Sequence, residues 1–207
     1  MNKKADKSPP PSAAQRFAAT RRAMGAGAFE RLADTTPAAL ISDVLRKDPV
    51  WAPLRRDMPW LPDLAHMEDL AASTLEETAA PHMDLERLEK RAKDPMKLRL
   101  SLQRHIRAMR SGWDIPAIWQ RLAAGEVLTP PEAIESFTVL YNDGGNCAVW
   151  SVSEPAYAVL ESLDTNPDFA AAAAIALRID KDFALDQFLA LLIQQRLLQK
   201  YVDGGRR

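Results

Sequence analysis

Few residues in this chain have the type and spacing that chemistry needs. His66, His82 and His105 are its three histidines. No two fall in an HxxxH, HExxH or Cys/His spacing that would set a pair of metal ligands on one helix face or loop. A metal site would have to be gathered from three distant segments, whereas lone histidines ordinarily sit at the surface or satisfied in a core. Cys147 is the only cysteine, which excludes an internal disulfide and a cysteine zinc finger. A nucleophilic thiol needs a nearby cation or base to lower its pKa, and Asn146, Ala148 and Val149 offer none. A small apolar strand residue is the plainer reading of Cys147. Asn142-Asp143-Gly144-Gly145 matches neither phosphate-binding pattern, GxxxxGKS/T or GxGxxG, and no GxSxG elbow is present. The expectation is a chain with no catalytic residue, no metal site and no cofactor of its own.

Two groupings suit binding instead. Between Arg87 and Arg110 nine basic residues meet only Glu89 and Asp94. Read as a helix, this stretch sets Lys97, Arg104 and Arg107 close to one face, opposite Leu98, Leu102 and Ile106. Such a face is a patch for an acidic partner or nucleic acid, or simply a solvated surface. Trp51, Arg55, Arg56 and Trp60 combine residue types enriched at interface hot spots, although tryptophans between prolines also plug helical domains. Trp51, Arg55, Arg56, Trp60, Arg104 and Arg107 are therefore the expected partner-binding residues.

The elements that must position these residues follow from composition and periodicity. A chain of 207 residues, 47% apolar and 27% charged, can bury a core in one large or two small domains. A formal charge of −1 argues against a protein coated in nucleic acid. No run reaches the roughly 20 apolar residues that span a bilayer, and the Lys- and Pro-rich start lacks the apolar segment of a secretory signal. A soluble, cytoplasmic protein is expected. Residues 1–11 and 203–207 read as tails. From 12 to 128 the pattern is helical. Thr36-Pro37 offers an N-cap and a first-turn proline to a helix bearing Leu40, Ile41, Val44 and Leu45, which Asp48-Pro49 ends. Proline density from Pro49 to Pro62 suggests an extended, packed segment. Helices are expected over 63–78 and 84–93. Asp94-Pro95 then opens the clearest one, with Leu98, Leu102, Ile106 and Met109 at spacings of 4, 4 and 3 and Gly112 closing it. Asp114 to Ala124 gives a last short helix.

Beyond Thr129-Pro130-Pro131 the pattern changes. Ser136 to Tyr141 is β-branched and aromatic with a period-2 partition, and Cys147 to Val152 follows an Asn/Asp/Gly turn, a strong hairpin signal. Three helices are expected after it, one capped by Ser153, one over 169–179 and one capped by Asp182. That order fits a winged-helix-type topology. Such folds often read DNA, but Ser153 to Gln199 holds three basic residues against seven acidic ones, a net of −4. Its second helix presents no Arg, Asn or Gln before Arg178. Duplex phosphate would repel such a unit. A hairpin also leaves an edge of unpaired N–H and C=O groups, which accepts an extended peptide as an added strand unless the helical half covers it. Phe137, Val139, Tyr141, Val149 and Trp150 are the expected peptide-binding residues, alternate side chains setting register.

The segments Phe137-Thr-Val-Leu-Tyr, the glycine turn, Ala148-Val-Trp-Ser-Val-Ser-Glu-Pro-Ala-Tyr-Ala-Val-Leu-Glu-Ser-Leu and Phe188-Leu-Ala-Leu-Leu-Ile-Gln-Gln-Arg-Leu-Leu resemble the C-terminal module of MbnC-type proteins. Asp48-Pro-Val-Trp-Ala-Pro-Leu-Arg-Arg-Asp-Met-Pro points the same way, so the resemblance spans residues 12–202. Those proteins are partner subunits of methanobactin biosynthesis, related to HvfC-like proteins. Their C-terminal module is similar to elements that recognise ribosomally made precursor peptides. The resemblance implies a complex with MbnB, a TIM-barrel enzyme whose multinuclear non-haem iron centre belongs to the barrel. It also implies binding of a precursor peptide, MbnA, with its leader along the β-sheet. The pair would use dioxygen to convert a precursor cysteine to an oxazolone with a neighbouring thioamide, on the way to a copper-binding product. No short catalytic signature of the family can be placed on these residues.

The expected fold is α+β and mostly α, an all-helical domain over 12–128 followed by a β-hairpin and three-helix, winged-helix-like module over 129–202. The expected function is a non-catalytic, peptide-recognising subunit, partnered by an iron enzyme and a precursor peptide and by neither nucleic acid nor membrane. Two alternatives come from other classes: a winged-helix DNA-binding regulator using the Arg87–Arg110 face, and a stand-alone thiol enzyme using Cys147.

Overall fold

A computed structural model describes residues 12–83, 98–127 and 131–199. The expected tails, the helix over 84–93, the Asp94-Pro95 helix start and Thr129-Pro130 lie outside the described residues. The chain is α+β and mostly helical, with a three-stranded antiparallel sheet. Among the described residues no helix is long and apolar enough to cross a membrane. Among the described residues, 12–69 with 117–127 and 131–132 form one compact unit, and 70–83, 98–116 and 133–199 form the other. The division therefore does not follow a break at Thr129, and 12–128 is not all-helical, because it contains a strand of the sheet.

In the first unit α1 (Ala13–Arg16) carries a capping box. Ser12 Oγ accepts from Gln15 N–H, and Ser12 N–H donates to Gln15 Oε1 at 2.9 Å. Then come α2 (Ala18–Met24), α3 (Ala26–Thr35), α4 (Ile41–Lys47), α5 (Ala52–Asp57), α6 (Leu61–Glu76) and, later in the chain, α7 (Ile115–Ala123); the grouping splits α6 after Asp69 and α7 after Pro116. A 3-10 turn over Ala38–Leu40 leads into α4, where Thr36 is buried and supplies no cap. The extended segment expected between Pro49 and Pro62 is instead helical: a 3-10 turn at Pro49–Trp51, then α5, then the start of α6. Pro49, Pro53 and Pro62 each fall in a first turn, where a missing N–H removes no hydrogen bond. Phe17 and Phe29 pack with ring centroids 6.4 Å apart, and Ile41, Leu45, Leu61 and Leu64 are fully buried. Each such side chain contributes about 1.5–3 kcal/mol.

Among the described residues of this unit, one carboxylate is buried. Glu68 on α6 accepts from Ala19 N–H (2.7 Å) and Thr20 N–H (3.0 Å) while only 5% exposed. These are first-turn donors of α2, whose own N-cap residue, Phe17, offers no side chain to them. A residue of α6 thus caps α2. Burial pushes the Glu68 carboxyl above its usual pKa, against the hydrogen bonds from Thr20, Ala19 and Trp119 that favour the charged form.

In the second unit β1 (Arg107–Ser111), β2 (Ser136–Asp143) and β3 (Asn146–Val152) form a meander in spatial order β1-β2-β3. It is followed by α8 (Glu154–Thr165), α9 (Phe169–Ile179) and α10 (Leu185–Gln194). Gly144 and Gly145 join β2 to β3 with φ of 60° and 96°. A two-residue hairpin turn needs positive φ at both positions, and glycine reaches it without strain. Asp168 caps α9, accepting from Ala171 N–H at 3.1 Å. Ser153 and Asp182, expected as caps, make no capping bond: Ser153 stands at the N-cap of α8 with its side chain unused, and α10 begins behind Ala184.

The helix expected over Leu98 to Met109 does not extend through this stretch. Leu98, Leu100 and Leu102 are buried while Arg99 is exposed, an alternation of period two. Gln103 N–H donates to Leu197 C=O and Gln199 N–H to Ser101 C=O, both at 2.8 Å, so this stretch pairs with the segment after α10. Arg107 then begins β1, paired along β2 from Arg107↔Leu140 to Ser111↔Ser136. Two covered faces also overturn the period-2 partition of β2. Thr138, Val139 and Leu140 are consecutive and all at most 1% exposed, as a central strand packed on both sides requires.

Candidate functional site

The second unit settles which hairpin strand is outermost. β2 is central, paired to β1 on one side and β3 on the other. Among the described residues, β3 has no backbone hydrogen bond beyond its ladder with β2.

Alternation fixes which β3 groups point outward. Asn142 N–H donates to His105 Nδ1 at 3.1 Å, and His105 immediately precedes the segment that leads into β1. Asn142 therefore directs its backbone to the β1 side, as do Leu140 and Thr138 at the same parity. Their cross-strand partners Cys147, Val149 and Ser151 consequently turn their N–H and C=O groups away from β2, toward the open edge. The two-residue turn between Asp143 and Asn146 demands the same parity.

β3 carries no charged residue and no proline. Edge strands are ordinarily blunted by lysines, prolines or bulges, and none blunts this one. Ser151 is exposed, and Cys147, Val149 and Trp150 are half-buried.

The expected peptide-binding side chains divide by face. Phe137, Val139, Tyr141 and Trp150 share the face turned to the helices. Val139 is wholly buried, Trp150 lies 6.1 Å from Phe188, and Phe137 lies 5.3 Å from Tyr157. Val139 therefore offers no pocket to a ligand, a correction to that expectation. Val149 lies on the opposite face, and with Cys147 and Ser151 it belongs to the outward parity. Ser151 was missed because a small polar residue in a strand gives no signal until its parity is known.

The expected partner-binding residues also separate. Arg55 Nη1 donates to the Leu45 and Asp48 carbonyls at 2.8 and 2.7 Å, which closes the C-terminus of α4. Trp60 is 4% exposed, a core plug. Both are corrected from surface to internal roles. Trp51 remains half-buried and Arg56 exposed. Of the expected basic helix face, Lys97 lies outside the described residues, while Arg104 sits in a turn and Arg107 in β1 rather than on one helix. Arg107 lies 3.8 Å from Glu77 and donates to the Arg104 and Ile106 carbonyls. Arg110 is bound to Glu135 at 2.7 Å and stands over the Phe137 ring.

Burial raises the Cys147 thiol pKa, the opposite of what a nucleophile needs. His105 is buried with Nδ1 already accepting, so only Nε2 carries its proton. Among the described residues no group of three or more His, Cys, Asp or Glu is placed to hold a metal ion. No protein-family model and no curated protein matches this chain.

Proposed function

We propose that this chain is a non-catalytic partner subunit that holds an extended precursor peptide for a companion enzyme. The reading takes the sheet with α8, α9 and α10 as a winged-helix-like, precursor-recognition module and the peptide as a fourth strand on β3. One observation carries it: an uncharged outer strand with the backbone groups of Cys147, Val149 and Ser151 directed away from the sheet. Added-strand binding takes affinity from main-chain hydrogen bonds and specificity from neighbouring side chains.

The identity of the companion rests on the sequence resemblance. An MbnB-like TIM-barrel iron enzyme would oxidise an MbnA-like precursor in the cytoplasm, and this chain would contribute no iron ligand. Turnover of the precursor by the iron enzyme with and without this chain tests the reading. A large loss without it is expected, and equal turnover without it refutes the proposal.

A further inference from the structure

We infer that β3 also pairs with β3 of a second copy of this chain, antiparallel about a twofold axis at Val149, so that self-association and peptide docking compete for one edge. The sheet has two outer strands, and they differ in what they present. β1 carries Arg107 and Arg110 among five residues, and charge on an edge strand holds other strands off. β3 offers seven residues without charge or proline, so a copy of itself meets no like charge along the strand. A β1-to-β3 contact between copies would run head to tail into an open assembly, whereas β3 against β3 closes as a dimer.

Parity narrows the register. Cys147, Val149 and Ser151 turn their N–H and C=O groups outward. With the axis at Val149, that residue faces itself and Cys147 faces Ser151 of the second copy, each pair exchanging both N–H···O bonds. All seven residues of β3 are then matched. On the helix-facing side each Trp150 meets the small Ala148 of the other copy. An axis at Trp150 or Ala148 also pairs outward groups, but it shortens the ladder and sets Trp150 against itself or against Asn146. Val149 is the centre that satisfies most of the edge.

Seven residues a side is about a third of what a stable interface uses, so the dimer is weak and exchanges. It opens when an extended peptide takes the same hydrogen bonds.

Sedimentation velocity of the full chain tests this. Between about 5 and 500 μM the mean sedimentation coefficient should rise reversibly from monomer toward dimer, as a weak interface requires. Val149→Pro and, at an exposed position of the same parity, Ser151→Pro should remain monomeric while staying folded by circular dichroism. Val149→Lys and Val149→Glu should each be monomeric, and an equal mixture of the two should dimerise, since an axis at Val149 sets those side chains opposite each other. No recovery in the mixture overturns that axis. An extended peptide of alternating Val and Thr should dissociate the wild-type dimer. A wild type monomeric throughout, or a dimer that both proline variants keep, overturns the self-pairing; peptide docking stands if the peptide still binds wild type and not Val149→Pro. A dimer lost in both proline variants but indifferent to the peptide upholds the self-pairing and overturns the docking reading.

Discussion

His105 Nδ1 accepts the Asn142 backbone N–H at 3.1 Å from a side chain only 3% exposed. That bond marks the parity of the sheet, since it assigns one set of β2 backbone groups to the β1 side and leaves Cys147, Val149 and Ser151 of β3 facing outward. It also requires a neutral ring, because a protonated Nδ1 would point a donor at a donor.

Acid should therefore loosen the hairpin. Burial lowers the His105 pKa below its ordinary 6.5, with Arg107 acting in the same direction and a hydrogen bond to its own backbone and Glu77 against it. A folded pKa below the unfolded one means the contribution is complete above about pH 6.5 and declines as pH falls beneath it. Denaturant unfolding between pH 7.5 and 5 should show this slope, reduced in His105→Ala. At neutral pH that variant should cost about 1–3 kcal/mol, the cost of one donor left unpaired. An unchanged slope would refute the role given to the bond.

Proline should act oppositely at two adjacent positions of β3. Val149 directs its N–H outward, so Val149→Pro leaves the β2–β3 ladder intact and should cost no more than about 1 kcal/mol while abolishing peptide docking. Trp150 directs its N–H to β2 and packs on Phe188. Trp150→Pro removes both, and a loss of about 3 kcal/mol or more is expected. Thermal melts alongside peptide titrations separate the two.

Glu68→Ala should strand the Ala19 and Thr20 donors and destabilise the first unit by about 2 kcal/mol or more. The effect should depend on pH in a defined sense. A carboxyl whose folded pKa is raised contributes most at low pH, and that contribution declines as pH rises from 4.5 through the folded value. The difference between wild type and Glu68→Ala should thus be largest in acid and shrink toward neutrality. Paired denaturation curves at several pH values would measure it.

Arg55 and Arg56 should separate although they are neighbours. Arg55→Ala removes two hydrogen bonds from the end of α4, and a stability loss of about 1–3 kcal/mol should follow. Arg56 is exposed, so Arg56→Glu should leave the melting temperature unchanged and weaken association with the companion enzyme. Pull-down with the iron enzyme reports the second effect, and an unaltered interaction would remove Arg56 from the interface.

The order of residues alone was enough to specify the local elements. The 3.6-residue periods of α6, α7 and α9, the Gly144-Gly145 turn and the two strands around it are written in neighbouring side chains, because helix faces and tight turns are short-range. It did not determine the fate of Leu98 to Met109, where apolar residues satisfy a helical spacing and an alternating one together. Backbone partners at Leu197 and Gln199, far along the chain, decided for the extended form. Nor did it determine that Arg55 and Trp60 turn inward, that Glu68 caps a distant helix, or that β3 is the outer strand. Each of these depends on which groups meet after the chain folds back, and neighbouring residues carry no record of that pairing.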